Sequence, residues 1–241
     1  TGMPDYSGIG GICAIDGAFW TVLALYAYVN KYEDWDLLAE YSEPLARLMN
    51  WLYCLDCNND GLLDAFVCHD DGVARIFGNN GDGTFTFQLN WIDLTTFPMS
   101  DNSGNYGSVW SDVNNDGLTD LYIAKCRQGV TDPTDPRRIN QLFLNNGDGT
   151  YTQDIDDASG LRIGAQSWTA DFGDIDNDGD FDCFVTNHDV SCQLLENDGA
   201  GHFTDISIPA NVENTIQATA IQGVFRDFDN DGYVDILVAG S

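Results

Sequence analysis

A nine-residue pattern, Asp-x-(Asp/Asn)-x-Asp-Gly-x-x-Asp, recurs four times along the 241 residues and constrains the fold more than any other feature. It reads DCNNDGLLD at 56–64, DVNNDGLTD at 112–120, DIDNDGDFD at 174–182 and DFDNDGYVD at 227–235. Oxygen-bearing side chains on alternate residues of a short loop, with Gly where the backbone turns sharply, make a cage of hard donors of the kind that holds Ca2+. The expected side-chain ligands are Asp56, Asn58, Asp60 and Asp64 in the first loop and Asp112, Asn114, Asp116 and Asp120 in the second. In the third they are Asp174, Asp176, Asp178 and Asp182, and in the fourth Asp227, Asp229, Asp231 and Asp235. Leu62, Leu118, Asp180 and Tyr233, at the seventh position, are expected to lend main-chain carbonyls. Each loop would take one ion.

The flanks decide what kind of loop this is. An EF-hand needs a Glu at position twelve and a helix on either side. Position twelve here is Val67, Ile123, Val185 or Val238, and a short run rich in β-branched and aromatic residues follows each loop. These runs (65–68, 121–124, 183–186 and 236–239) are too short for helices and predict strands. A second mark follows: IFGNNGDGTF at 76–85, LFLNNGDGTY at 142–151 and, more loosely, LLENDGAGHF at 194–203. Asn-Gly and Asp-Gly pairs accept the positive φ of a tight hairpin, so each copy reads as strand, turn, strand. A repeat therefore holds four strands, one before the loop, one after it and two around the turn. The loops start 56, 62 and 53 residues apart, and four strands in a period of that size describe a propeller blade, which buries its faces only by stacking on its neighbours.

The two motifs in fixed order resemble the FG-GAP/VCBS repeats of integrin α-subunit propellers, of some fungal and bacterial lectins, and of secreted acidic adhesion-type proteins. The resemblance covers about residues 50–241. It implies a mainly β fold with three full blades and one partial blade over 54–241, and a role outside the cell in adhesion, in glycan or protein recognition, or in extracellular assembly.

The balance of 9 basic against 39 acidic residues, a formal charge of −30, argues against nucleic acid or an anionic membrane as partner. Acidity of this degree often signals disorder, but a chain that is 43% hydrophobic and 12% aromatic has enough apolar surface to fold. Without cations the carboxylates of each loop repel one another, so calcium is expected to act as a structural requirement, in a millimolar-calcium environment outside the cell. The 7 cysteines are an odd number for a chain that reads as secreted. Cys183 and Cys192, on consecutive expected strands, are placed either to pair or to stay as separate thiols.

Residues 1–53 read differently. Helical spacing over 16–30 and 35–53 predicts an αα-hairpin, and the apolar run at 18–29 is too short to span a bilayer. The segment is similar to one hairpin of the (α/α)6 glycoside hydrolases, and the second functional reading is accordingly an accessory propeller module of such an enzyme. No nucleophile elbow, zinc-protease motif or phosphate-binding loop occurs, so the first reading is non-enzymatic. Two residues ahead of each loop stand Cys54, Trp110, Phe172 and Phe225, expected in the core between blades. An insertion at 126–139 carries Arg127, Arg137 and Arg138, a surface loop or a contact for an acidic group. The sequence reaches Ser241 just after the fourth loop's strand. Three explanations compete: the N-terminal segment completes the blade, the sequence is a piece of a longer chain, which is the favoured reading, or a neighbour completes the blade in head-to-tail assembly.

Overall fold

The computed structural model describes residue 31 and residues 56–58, 60–99, 101–212 and 220–240. Apart from Lys31, the helical hairpin expected over 1–53 lies outside the described residues, and so do Cys54 and Asn59. The remainder falls within one compact unit, Asp56–Ser241.

That unit is built from four antiparallel sheets, each a meander with its strands in chain order. The first holds β1 (Ala65–Val67), β2 (Arg75–Asn79) and β3 (Phe85–Gln88). The second holds β4 (Asn105–Ser111), β5 (Asp120–Lys125), β6 (Gln141–Asn145) and β7 (Tyr151–Gln153). The third holds β8 (Ser167–Gly173), β9 (Asp182–Asn187), β10 (Gln193–Asn197) and β11 (Phe203–Asp205). The fourth holds β12 (Ala220–Arg226) and β13 (Asp235–Gly240). The second and third sheets thus have the four strands expected of a repeat. Among the described residues the first sheet has three, because its expected opening strand precedes Asp56.

Among the described residues, the second, third and fourth acidic loops are each the connection between a sheet's first two strands. The strand entering it stops immediately before the first Asp, and the next begins at the last Asp, so the pairs Ser111↔Asp120, Gly173↔Asp182 and Arg226↔Asp235 close the ladder. A β-strand alternates its side chains between two faces, and the central strands bury both. In β5, Leu121 and Ile123 pack with Ile76, Ile92 and Leu94 of the first repeat, while Tyr122 joins Ala170, Cys183 and Val185 of the third sheet. In β9, Phe184 points the other way, to Ala220 and Val212. This explains why the runs after the second and third loops are apolar throughout rather than alternating.

The aromatic residues ahead of the loops lie in these sheet-to-sheet cores and repeat one contact. Trp110 meets Phe66 edge-on at 5.6 Å, Phe172 meets Tyr122 at 5.9 Å, and Phe225 meets Phe184 at 6.2 Å. In each case the partner stands ten residues beyond the first Asp of the preceding loop. Edge-to-face pairs of this kind contribute about 0.5–1.5 kcal/mol beyond the area they bury. Cys183 and Cys192 belong to different cores, one facing the second sheet and the other the fourth, so they are separate thiols.

Candidate metal centre

The four loops share one backbone scaffold, set by their first carboxylate. Asp112 accepts the Asp116 N–H at 3.1 Å on one oxygen and the Gly117 N–H at 2.8 Å on the other. Asp56, Asp174 and Asp227 accept the equivalent pairs of N–H groups in their own loops. The fifth-position carboxylates Asp60, Asp116, Asp178 and Asp231 each accept the N–H of the seventh residue. The turn depends on left-handed backbone at two places: Asn115, Asn177 and Asn230 at φ 58, 63 and 61°, and the sixth-position Gly61, Gly117, Gly179 and Gly232 at φ 83, 84, 98 and 94°. Asn tolerates that region, and Gly enters it without steric penalty.

The third position divides the loops into two kinds. Asp174, Asp176 and Asp182 bring one carboxylate oxygen each to within 4.8 Å of one another, and Asp227, Asp229 and Asp235 do the same. Oxygens bound to one Ca2+ at 2.3–2.6 Å lie no farther apart than about 5 Å, so both groups fit that ion. Asp178 and Asp231 fall outside these groups. In the first two loops the third residue is Asn, whose amide donates to the fifth-position carboxylate, Asn58 to Asp60 at 2.9 Å and Asn114 to Asp116 at 3.0 Å. In those loops a neutral donor caps the fifth-position carboxylate, and Asn58 Oδ1 and Asn114 Oδ1 accept the fifth residue's N–H.

The ninth-position carboxylates of the first three loops tie each loop to the hairpin of its own sheet, and this the sequence reading missed. Asp120, which is fully buried, accepts the Val113 N–H at 3.0 Å and the Asn145 N–H at 2.8 Å. Asp64 bonds Cys57 and Asn79, and Asp182 bonds Ile175 and Asn197, in the same way. Asp235 has the first of these bonds, from Phe228, and is exposed. Asn79, Asn145 and Asn197 return an amide bond to the carbonyl just ahead of the ninth position, on Leu63, Thr119 and Phe181. Their signal was in view, since the same Asn opens all three hairpin motifs. Burial is the leading influence on these carboxyls: it raises Asp64 and Asp182 and pushes Asp120 up to about 6, against the backbone N–H groups that favour the charged form.

The hairpins also cover the neighbouring loop. Asn197 Nδ2 donates to the Val113 carbonyl at 2.9 Å, and a Cβ on Gly201 would sit 3.1 Å from Asn114 Cβ. Gly149 stands in the same relation to Asn58, while Asn177 Nδ2 reaches the Gly232 carbonyl at 3.2 Å. Every loop therefore lies at a junction between sheets, where a bound ion would stiffen both. The seventh residues differ from one another. Leu62 and Leu118 pack under the hairpin glycines Gly81 and Gly147, Tyr233 is exposed, and Asp180 is buried beneath Gly199. Burial, with the neighbouring loop acids, raises Asp180 to about 6.

The arginines of the insertion have internal partners. Arg127 bonds Asp71 at 2.6 Å and lies 3.6 Å from Asp70, both of the first repeat. Arg137 folds onto Asp135, and Arg138, almost wholly buried, meets Asp189 of the third repeat at 2.5 Å. Gln166 adds bonds to the Arg127 and Val130 carbonyls. The insertion thus fastens three consecutive repeats at the end of the sheets away from the acidic loops.

Among the described residues no helix is long and apolar enough to cross a membrane. No curated protein matches the chain. The FG-GAP-like repeat model matches three times, over residues 56–123, 112–185 and 174–238, each match running from one acidic loop through the strand that follows the next. These matches span most of the chain, with the four-sheet meander and the loop positions agreeing repeat by repeat, and the chain belongs to the family of FG-GAP-like repeat proteins, a β-propeller-like fold.

Proposed function

We propose that this chain is an extracellular calcium-binding repeat protein of propeller type, acting through recognition of a glycan or protein ligand in adhesion or assembly. The observation that carries the reading is the convergence of Asp174, Asp176 and Asp182, and of Asp227, Asp229 and Asp235, to within 4.8 Å in loops that each join two strands of one sheet and meet each other at Asn177 and Gly232. Three carboxylates so close repel one another unless a cation lies between them, and oxygen donors alone select a hard ion such as Ca2+. Calcium in this reading is a structural element that fixes one sheet against the next, and the sheets present the binding surface. The formal charge of −30 directs that surface toward neutral or basic partners and away from polyanions.

Glycan-array and extracellular-protein binding, each run in calcium and in chelator, tests the reading. Calcium-dependent capture of a defined glycan or protein is the expected result. Hydrolysis of a glycoside by the isolated chain, or binding indifferent to chelation, would overturn it.

A further inference from the structure

The strands entering the last three acidic loops break their pairing at one repeated place. The register slips between Asn105 and Ser108 in β4, between Ser167 and Thr169 in β8, and between Ala220 and Gln222 in β12. Tyr106, Trp168 and Ile221 stand in these slips, each six residues ahead of its loop and at the far end of the sheets from it. A bulge of this kind leaves its extra residue out of the ladder and re-aims the side chain. In the second and third repeats that side chain is a large aromatic.

These two aromatics meet across the junction between their sheets. The rings of Tyr106 and Trp168 are 5.5 Å apart, and the Trp168 ring is 5.6 Å from that of His188, which is exposed. The row differs from the edge-on pairs nearer the loops. Among the described residues none of the three is part of a sheet-to-sheet core, and Tyr106 and Trp168 are only half-buried. Aromatic surface that serves no core and stays partly in water is what recognition sites are built on.

Polar groups of both signs border the row. The Asp70 carbonyl accepts the Gly104 N–H at 2.6 Å, two residues before Tyr106, and a Cβ on Gly104 would stand 3.1 Å from Arg127 Cβ. The exposed carboxylates of Asp71 and Asp70 lie 2.6 and 3.6 Å from Arg127, and burial, with the charge of Asp70 next, raises the Tyr106 phenol. Gln166 fastens the other side. Its side chain accepts the Arg127 N–H at 2.6 Å, its carbonyl accepts the His188 N–H at 2.7 Å, and its own N–H bonds Asp189. Three repeats thus hold the row and its border in place before a ligand arrives, which lowers the entropic cost of binding.

The mixed charge selects the ligand class. A cation would find Asp71 already bonded to Arg127, and an anion would meet two exposed acids. A neutral sugar suits every group, since its C–H face packs on an aromatic ring while its hydroxyls donate to carboxylates and accept from a guanidinium. Resting on the glycan arm of the function proposed above, we infer that Tyr106, Trp168 and His188, bordered by Asp70, Asp71 and Arg127, form a binding site for a neutral pyranose sugar at the end of the sheets opposite the acidic loops.

Titration of the calcium-loaded chain with lactose, cellobiose and mannobiose, followed by the Trp168 indole N–H resonance and by calorimetry, tests this. At least one of the three disaccharides is expected to shift that resonance saturably, and Trp168→Ala and Asp71→Ala are each expected to weaken its binding at least about tenfold. The Asp71 side chain is 68% exposed, so its variant keeps the test open should the tryptophan variant not fold. No saturable shift with any of the three sugars overturns the site, and so does sugar binding that both variants leave unchanged. A shift produced by a tetralysine peptide and by none of the sugars overturns the sugar class. Calcium-dependent capture of a glycan or protein that survives in both variants leaves the parent reading standing, whereas a wild-type chain that captures neither overturns that reading itself.

Discussion

The first two loops and the last two follow one motif, but they solve the problem of clustered charge differently. In the loops at 56–64 and 112–120 the amide of Asn58 or Asn114 caps the fifth-position carboxylate, so the loop is closed by its own hydrogen bonds. In the loops at 174–182 and 227–235 an Asp stands at the third position, and three carboxylates converge without that side-chain amide. One amide-for-acid exchange thus separates loops closed by a side-chain amide from loops in which three acids converge. Under the proposed calcium reading, ion dependence should be graded along the chain and concentrated in the third and fourth repeats.

The largest effect expected from a single change separates those last two repeats from each other. Asp182 is buried and joins its loop to the hairpin through Ile175 and Asn197, whereas Asp235 is exposed and has one such bond. In calcium, Asp182→Ala is expected to lower unfolding free energy by about 3–5 kcal/mol and Asp235→Ala by about 1–2 kcal/mol. Chemical denaturation reads both, and equal losses would show that the hairpin bond contributes nothing.

Next in size is a dependence on pH that appears only without metal. Burial holds Asp120 up to about 6 and also raises Asp64 and Asp182. A carboxyl raised in the folded state adds stability that is complete below its unfolded value, near 4, and is lost as pH rises through the folded one. In chelator the melting temperature should therefore fall between about pH 4 and pH 7, by several degrees. Asp135, held down to about 2 by Arg137, titrates below that window. Calcium should abolish or reverse the slope, since the ion binds the charged form. A metal-free protein that gains stability over the same interval would contradict the loop electrostatics.

The smallest expected effect tests the exchange itself. Asn114→Asp removes the amide cap on Asp116 and should reduce stability in chelator by about 0.5–1.5 kcal/mol while tightening calcium binding. Asp176→Asn should do the reverse, and calorimetric titration of the two variants reads both signs.

Much of this was legible in the sequence because it is local. Loop positions, strand placement and hairpin turns follow from spacing and from Gly and Asn at left-handed positions, and Trp110, Phe172 and Phe225, two residues before the second, third and fourth loops, were read correctly as core. What stayed hidden depends on partners far along the chain. The bond from Asn145 to Asp120 crosses 25 residues, and that from Arg138 to Asp189 crosses 51. Arg127, Arg137 and Arg138 read as part of a surface loop or as a contact for an acidic group, and it is acids of the folded chain itself that meet all three. Cys183 and Cys192 looked adjacent, but the pleat sends one to each face of the sheet, which only the register settles. Asp180 looked like a carbonyl donor with an incidental side chain. Its burial becomes visible only once the Gly199 turn closes over it.

The central claim is that divalent ions in these loops hold the sheets together. Thermal melting of the chain across a calcium titration from chelator to several millimolar tests it most directly. Each site at ten times its dissociation constant should add about 1.4 kcal/mol, and melting should rise by about 2–4 °C for each kcal/mol gained. A melting temperature that climbs steadily with calcium is the predicted result. One that is the same in chelator and in saturating calcium would contradict the account.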